Sequence, residues 1–145
     1  MAAIETHLRD LSRAVLAAQY GKDWLEQVLD EVTLTGLRQR REEDQGRHPD
    51  AVPHDLLAYM HVDELRLLLH DHWGSFQPLL GREEDFSSIM EMAQDFGRLA
   101  QDKQSGAWQT DIYVSMLRML ATEIHMALMR FNLQQGWLNM GKPVE

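Results

Sequence analysis

The sequence predicts an all-α fold, a bundle of about five to six helices in a single domain over residues 1–145. Apolar residues recur at three- and four-residue spacing along most of the chain, which is typical of amphipathic helices. Glycines and prolines fall between these periodic segments, where they end helices. With 145 residues, 44% of them hydrophobic and 26% charged, the chain is long and apolar enough to bury one core.

The first half of the chain holds two predicted helices and a loop. An apolar stripe defines the first helix, with members Ile4, Leu8, Leu11, Val15 and Ala18. We expect Gly21 to end this helix, because glycine is favoured just after a helix C-terminus. A second helix is predicted over residues 23–41. Residues 42–54 lack periodicity and contain two prolines and a glycine, so they are predicted to form a loop.

The second half of the chain holds four predicted helical segments, over residues 55–60, 63–73, 83–103 and 110–135. We expect Gly74, Ser75 and Pro78 to interrupt the chain before Gly81, because glycine and proline disfavour the interior of a helix. Residues 136–145 are predicted to be a C-terminal tail.

The last predicted helix has a wide apolar arc. Its main stripe consists of Tyr113, Leu117, Leu120, Ile124, Leu128 and Phe131. The residues that widen it on one side are Ile112, Met116, Met119 and Met126. Such an arc fits either the central helix of the bundle or a helix whose methionine edge contacts a second protomer. These four residues are therefore the interface candidates, and a homodimer is the expected assembly.

Composition limits the compartment and the partners. The chain has no cysteine, so disulfides and thiolate metal sites are excluded, and its start lacks the apolar stretch of a secretory signal. No uninterrupted apolar run approaches the roughly 20 residues that span a bilayer, so we expect no membrane segment and a cytoplasmic location. The net charge of −9 disfavours RNA as a partner, because nucleic-acid binding depends on lysines and arginines at phosphates.

The sequence contains no assembled motif for a metal, a cofactor or a nucleophile. His70 and His72 flank Asp71, but residues two apart on a helix point about 200° apart and cannot hold one ion together. His61 and Glu64 can share a face, yet two ligands fall short of a metal site. Nucleophile elbows, P-loops and dinucleotide fingerprints are absent from the sequence. We therefore predict no metal site and no cofactor.

Short motifs in the first two thirds of the chain resemble a known helical family. Tyr20-Gly21-Lys22-Asp23-Trp24 stands between the first two predicted helices. Asp63-Glu64-Leu65 is followed by Trp73-Gly74-Ser75-Phe76, an acidic break and a helix that begins near Phe86. In this order the motifs are similar to those of HEPN (higher-eukaryote and prokaryote nucleotide-binding) domains, over roughly residues 4–130. The resemblance implies an up-and-down helical bundle.

The same resemblance implies a degenerate catalytic motif. HEPN ribonucleases usually carry Arg-Asn-x-x-Ala-His, whose arginine and histidine cleave RNA without metal. The matching stretch here is Phe96-Gly97-Arg98-Leu99-Ala100-Gln101, so Phe96, Gly97 and Gln101 replace the arginine, asparagine and histidine. Glutamine has no titratable group near neutral pH and cannot act as general acid or base. The chain is therefore more consistent with a non-catalytic protein than with an enzyme.

A looser form of the family signature supplies fallback catalytic candidates. Arg118 and His125 are separated by seven residues in the last predicted helix, so their side chains lie on nearly the same face. Other polar residues share that face: Asp111, Ser115, Thr122 and Asn132. The face lies opposite the apolar stripe, as a solvated face must.

Our leading functional prediction is a non-catalytic, HEPN-like helical interaction module that self-associates and binds a protein partner or a second copy of itself. The resemblance implies a setting in prokaryotic defence, toxin–antitoxin or RNA-processing systems. The main alternative is a metal-independent ribonuclease that uses Arg118 and His125, with a cleft between two protomers as one place for its site. A third hypothesis is a sensor that binds a nucleotide between helices.

Overall fold

The computed structural model describes the backbone of residues 2–50, 55–101 and 107–140, and the side chains of these ranges apart from 2, 96–97, 99–101, 107–110 and 137–140. These ranges form seven α-helices and one short 3-10 helix, and they contain no strand. In chain order the elements are α1 (Ala2–Tyr20), α2 (Trp24–Val28), α3 (Glu31–Arg47), the 3-10 helix (Leu56–Tyr59), α4 (Val62–Asp71), α5 (Trp73–Leu80), α6 (Glu83–Gln101) and α7 (Ala107–Met140). The predicted all-α bundle is confirmed, with more helices than the five to six expected.

Helix α1 buries its predicted apolar stripe and ends where a glycine follows. The first four members of the stripe are buried, whereas Ala18 is exposed and Leu16 lies in the core instead. Gly21 has a φ of +90°, a conformation that favours glycine, and its N–H donates to the carbonyl of Ala17 at 2.8 Å. The predicted helix stop at Gly21 is confirmed.

The single helix predicted over residues 23–41 is wrong, because the chain forms α2 and α3 with a break at Leu29 and Asp30. The Asp30 carboxylate accepts a hydrogen bond from the backbone N–H of Thr33 at 2.8 Å and starts a new helix. This bond lowers the pKa of Asp30. Helix α3 continues to Arg47, so residues 42–47 are helical and were wrongly assigned to the loop. Residues 51–54 of that loop lie outside the described residues.

The predicted interruption after residue 73 is also wrong. Residues Trp73–Leu80 form α5, with Pro78 inside the helix. Phe76 and Leu79 of this helix are buried in the core, and packing of this kind overrides weak local propensity. The helix ends at Gly81, which has a φ of +83° and donates its N–H to the carbonyl of Gln77 at 2.9 Å.

The two long C-terminal helices were predicted in type and shifted slightly in their bounds. Helix α6 spans Glu83–Gln101, and residues 102–103 of its predicted range lie outside the described residues, whereas α7 spans Ala107–Met140. Residues 136–140 are therefore helical and were wrongly assigned to the tail, whereas residues 141–145 lie outside the described residues.

One cluster of buried side chains joins helices from both ends of the chain. Helix α7 packs against α1, α5 and α6, and α1 also packs against α2, α4 and α5. Phe76 of α5 is fully buried in this cluster, and the rings of Trp73 and Phe86 lie 5.5 Å apart between α5 and α6. The position of α7 against three other helices leaves its remaining side free for contacts outside the bundle.

Helix α7 combines length with apolar composition. Between Asp111 and Gly136 it is long and apolar enough to cross a membrane, by these two criteria alone. The helix meets the criteria of length and mean hydropathy without an uninterrupted apolar run, because its charged residues are few and widely spaced. Core helices of soluble proteins pass the same test when they are mostly buried. Only 17% of the most apolar 18-residue window of α7 is buried, so much of its apolar surface faces outward.

Candidate interaction surface

One side of α7 forms part of the core. Leu120, Ile124 and Ala127 are buried, and the neighbouring Leu117, Leu128 and Phe131 pack against the same cluster at its edge. Buried and partly buried positions recur at three- and four-residue spacing, as expected for a helix that lies on a bundle. Five of the six residues of the main stripe predicted from the sequence therefore face the core, whereas Tyr113 is half-buried and is not among the side chains packed against it.

A second row of apolar side chains follows the outer side of α7. Its members are Ile112 (43% exposed), Met119 (71%), Met126 (45%) and Leu133 (63%), and we call this row the α7 outer stripe. Each member lies seven residues after the previous one. A seven-residue apolar repeat keeps one seam along a helix facing a partner helix. Three of the four interface candidates predicted from the sequence thus belong to one continuous exposed row.

The fourth interface candidate, Met116, is half-buried and lines a groove beside the outer stripe. This groove has a volume of about 310 Å³ and lies between α5, α6 and α7. Its apolar lining includes Leu80, Phe86, Ile89, Met116, Met119 and Leu120. Asp85 and Glu123 also line it and give it an acidic character. Met119 belongs both to the groove wall and to the stripe, so the two features form one surface.

Small and charged residues flank the outer stripe. Ser115, Thr122 and Gly136 are exposed, and each lies three residues after a stripe member. Their size allows a second helix to approach closely. Arg118 and Glu123 are exposed on either side of Met119, and neither has a hydrogen bond or ion pair among the described residues.

The fallback catalytic candidates lie on the surface of α7. Arg118 and His125 are both exposed two turns apart on one side of the helix, which agrees with the predicted solvated face. The His125 ring lies 5.2 Å from the ring of His7 on α1, with an angle of 50° between their planes. The imidazole of His7 therefore lies beside His125, and among the described residues no carboxylate contacts His125.

The degenerate motif lies near the end of α6. The side chains of Phe96, Gly97 and Gln101 are outside the described residues, although their backbone is helical. Within the same segment Arg98 is exposed and forms an ion pair with Asp95, one turn earlier in α6. The assignment of this segment as a degenerate catalytic motif stays a prediction.

The structure also forms a cleft, lined by apolar and charged side chains, that the sequence did not predict. The cleft has a volume of about 310 Å³ and lies between α4, α5 and α6, with Arg66, His70, Trp73 and Glu83 in its lining. His70 contacts the Glu83 carboxylate through Nδ1, and this hydrogen bond raises the pKa of His70. Arg66 donates to Gln94 Oε1 at 2.7 Å. Arg66 and His70 are four residues apart, a spacing that could have indicated a shared face.

The histidines considered for metal binding are separated in the structure. His70 contacts Glu83, whereas the His72 ring lies 6.0 Å from the ring of Tyr20. Glu64, paired with His61 in the sequence, accepts the backbone N–H of His61 at 3.0 Å. Among the described residues, no group of three histidine, aspartate or glutamate side chains is placed to hold a metal ion.

Comparison of the chain with protein-family models, with curated proteins and with solved structures finds no match. The HEPN resemblance is therefore carried by its short motifs alone. The junction motif has a clear structural role, since Gly21 ends α1 and Trp24 is buried at the start of α2. Of the surfaces described above, the α7 outer stripe combines the largest apolar exposure with a regular repeat.

Proposed function

We propose that this chain is a non-catalytic, HEPN-like interaction module that pairs with a second copy of itself through the α7 outer stripe. The observation that carries the proposal is the row of four exposed apolar side chains at seven-residue spacing. Single exposed apolar residues are common on soluble proteins, but a continuous row marks an interaction site. A protein partner with a matching helix can use the same surface.

Burial of the stripe supplies a favourable free energy of association that is comparable to its cost. Fully burying a leucine or methionine side chain stabilises by roughly 1.5–3 kcal/mol. These side chains are about half exposed, so eight of them across a symmetric pair contribute on the order of 8 kcal/mol. The loss of translational and rotational freedom costs about 4–15 kcal/mol. The gain from the stripe is therefore of the same order as this cost, and the adjoining groove adds further apolar surface.

A second copy suits this surface because the surface is self-complementary. A two-fold dimer requires one patch to contact itself. The α7 outer stripe contains projecting side chains, such as Met119, beside the small residues Ser115 and Thr122 and the groove. Projections of one copy can therefore fill the depressions of the other. Methionine suits such an interface, since its flexible side chain adapts to irregular gaps.

The resemblance and the charge balance support a non-enzymatic role. Gln101 stands where HEPN ribonucleases carry their histidine, and the net charge of −9 opposes binding to RNA. The setting we propose is the cytoplasm of a prokaryote, within a defence, toxin–antitoxin or RNA-processing system. In such a setting the module acts by joining proteins.

The molar mass in solution tests this proposal. We expect light scattering to give a dimer for the unaltered chain and a monomer for Met119→Lys at the same concentration, because the variant buries an unpaired charge in the interface. Val32→Lys is the matched control: Val32 is 83% exposed but lies on α3, away from the stripe. This control should remain a dimer with an unchanged helical circular dichroism spectrum.

Two results would overturn the proposal. One is a Met119→Lys variant that dimerises as tightly as the unaltered chain. The other is an unaltered chain that is monomeric in solution and floats with lipid vesicles, because the outer stripe would then contact a membrane.

A second candidate function, the metal-independent ribonuclease, is favoured by one observation. Arg118 and His125 share an exposed side of α7, and His7 lies against His125. Incubation of the purified protein with RNA and a metal chelator separates the two functions. Cleavage that requires His125 supports the ribonuclease, whereas intact RNA rules it out.

A further inference from the structure

The α7 outer stripe can pair with a second copy in two orientations, parallel or antiparallel. Resting on the proposed self-association, we infer that the two α7 helices run parallel and that Arg118 of each copy pairs with Glu123 of the partner subunit.

The position of these two residues relative to the stripe carries the inference. Arg118 directly precedes the stripe residue Met119, and Glu123 follows Met119 by four residues. In a two-stranded coiled coil with the stripe at position a, these are the flanking positions g and e. A parallel pair brings each g residue to the e residue five positions further along the partner helix. Arg118 therefore faces Glu123 of the partner subunit, and symmetry forms this pair twice.

The antiparallel orientation places like charges together. There, position e faces position e of the partner, and position g faces position g. The stripe runs from Ile112 to Leu133, so an antiparallel pair centred on it brings the two copies of Glu123 side by side. The same arrangement sets Arg118 near His125 of the partner subunit. Repulsion between the two copies of Glu123 disfavours this orientation.

The hydrogen bonds and ion pairs of the surrounding side chains agree with the parallel pairing. Arg118 and Glu123 have no hydrogen bond or ion pair among the described residues, so both are available. The other charged residue on the e side, Arg130, already donates to the carbonyl of Leu79 at 2.8 Å. It is therefore held against α5 and does not compete for the partner's side chains.

Small residues lie at the seam beside the first two members of the stripe and permit close approach there, whereas the corresponding position after Met126 is the exposed Met129. Ser115 and Thr122 lie three residues after Ile112 and Met119, which is position d of the same repeat. In a parallel pair each d residue faces its own copy across the seam. Ser115 then meets Ser115 of the partner subunit, and Thr122 meets Thr122 of the partner subunit. In the centred antiparallel pair only residues near the middle of the stripe, such as Thr122, meet their own copies.

Single cysteine variants test the orientation, because the unaltered chain has no cysteine. We expect Ser115→Cys and Thr122→Cys each to form a disulfide-linked dimer under mild oxidation, since facing positions come within the 4.4–6.8 Å that a disulfide spans between Cα atoms. Cross-linking of Thr122→Cys without Ser115→Cys would overturn the parallel orientation and leave self-association intact. Failure of both variants, together with a dimeric Met119→Lys, would overturn the proposed function itself.

Charge reversal tests the ion pair. Arg118→Glu and Glu123→Arg should each weaken the homodimer at least tenfold in its dissociation constant, because each creates two repulsive pairs. An equimolar mixture should form a heterodimer that restores the unaltered affinity, since both of its pairs are attractive. The double variant should also recover. An Arg118→Glu variant that dimerises as tightly as the unaltered chain would overturn the pairing.

Discussion

Glu64 accepts hydrogen bonds from two parts of the chain, the backbone N–H of His61 at 3.0 Å and the side chain of Arg40 at 2.6 Å. Arg40 also donates to the carbonyl of Tyr59 at 2.9 Å. Burial acts to raise the pKa of Glu64, but the bonds from Arg40 and His61 outweigh it and lower the pKa. The carboxylate therefore starts α4 and ties it to α3, which explains the spacing of His61 and Glu64 without a metal.

A hydrogen bond in the same region restrains the side chain of Tyr59. Its hydroxyl donates to the Asp44 carboxylate at 2.7 Å, linking the 3-10 helix to α3. Loss of solvent and the neighbouring Asp44 raise the pKa of Tyr59 to about 12. The phenol therefore stays protonated through neutral pH and keeps its hydrogen bond.

The contact between His70 and Glu83 predicts a dependence of stability on pH. The pKa of His70 is raised in the folded chain, mainly by its hydrogen bond to Glu83. This contact therefore stabilises the fold below the ordinary histidine pKa of about 6.5, and the stabilisation is lost as the pH rises through the raised pKa. We expect urea unfolding midpoints to fall less between pH 6 and pH 8.5 in His70→Gln than in the unaltered chain.

His48→Gln is the control for this measurement. His48 is exposed after α3 and has no side-chain contact among the described residues. Its variant should lose as much stability between the two pH values as the unaltered chain. Equal losses in all three proteins would show that the contact between His70 and Glu83 contributes nothing to stability. The expected difference is small, because His70 is exposed and solvent screens the pair.

Long helices with a regular apolar period could be predicted from the sequence. In α1 the period predicted four buried residues, and the glycine after Tyr20 predicted the end of the helix. In α7 the main stripe predicted the side that packs against the bundle. These elements follow the local pattern because their burial and their propensity favour the same conformation.

Short helices could not be predicted, because contacts distant in sequence decide them. The sequence gives no periodic signal that separates α2 from α3, and the break depends on the capping bond from Thr33 to Asp30. Helix α5 contains Pro78 and begins with Trp73-Gly74, yet burial of Phe76 stabilises it. A local pattern carries no information about which core a short segment will enter.

The interaction surface could be predicted in part. The width of the apolar arc indicated Ile112, Met119 and Met126, which are exposed, and Met116, which is half-buried beside them. Leu133 was missed, although its seven-residue distance from Met126 is visible in the sequence. Glu123 was missed as well, because its proposed role depends on the α7 helix of a second copy. Whether the surface pairs with a second copy remains a prediction for the measurements proposed above.

At the scale of the whole molecule, α7 serves the core and the outer surface at once. Leu120 and Ile124 face the bundle, while Met119 and Met126 face outward on the same turns. A helix held on both sides resists fraying more than one held on a single side. Self-association through α7 is therefore expected to stabilise the folded chain.

This coupling predicts a stability that depends on protein concentration. When dimerisation is linked to folding, a tenfold increase in concentration raises the free energy of unfolding by about 1.4 kcal/mol per dimer. We expect the thermal unfolding midpoint of the unaltered chain and of Val32→Lys to rise over a hundredfold concentration range. Met119→Lys should unfold at one temperature throughout, because its interface is lost and its core is unchanged. A midpoint that rises equally in Met119→Lys would place the interface elsewhere on the molecule, since the outer stripe would then contribute nothing to the coupling.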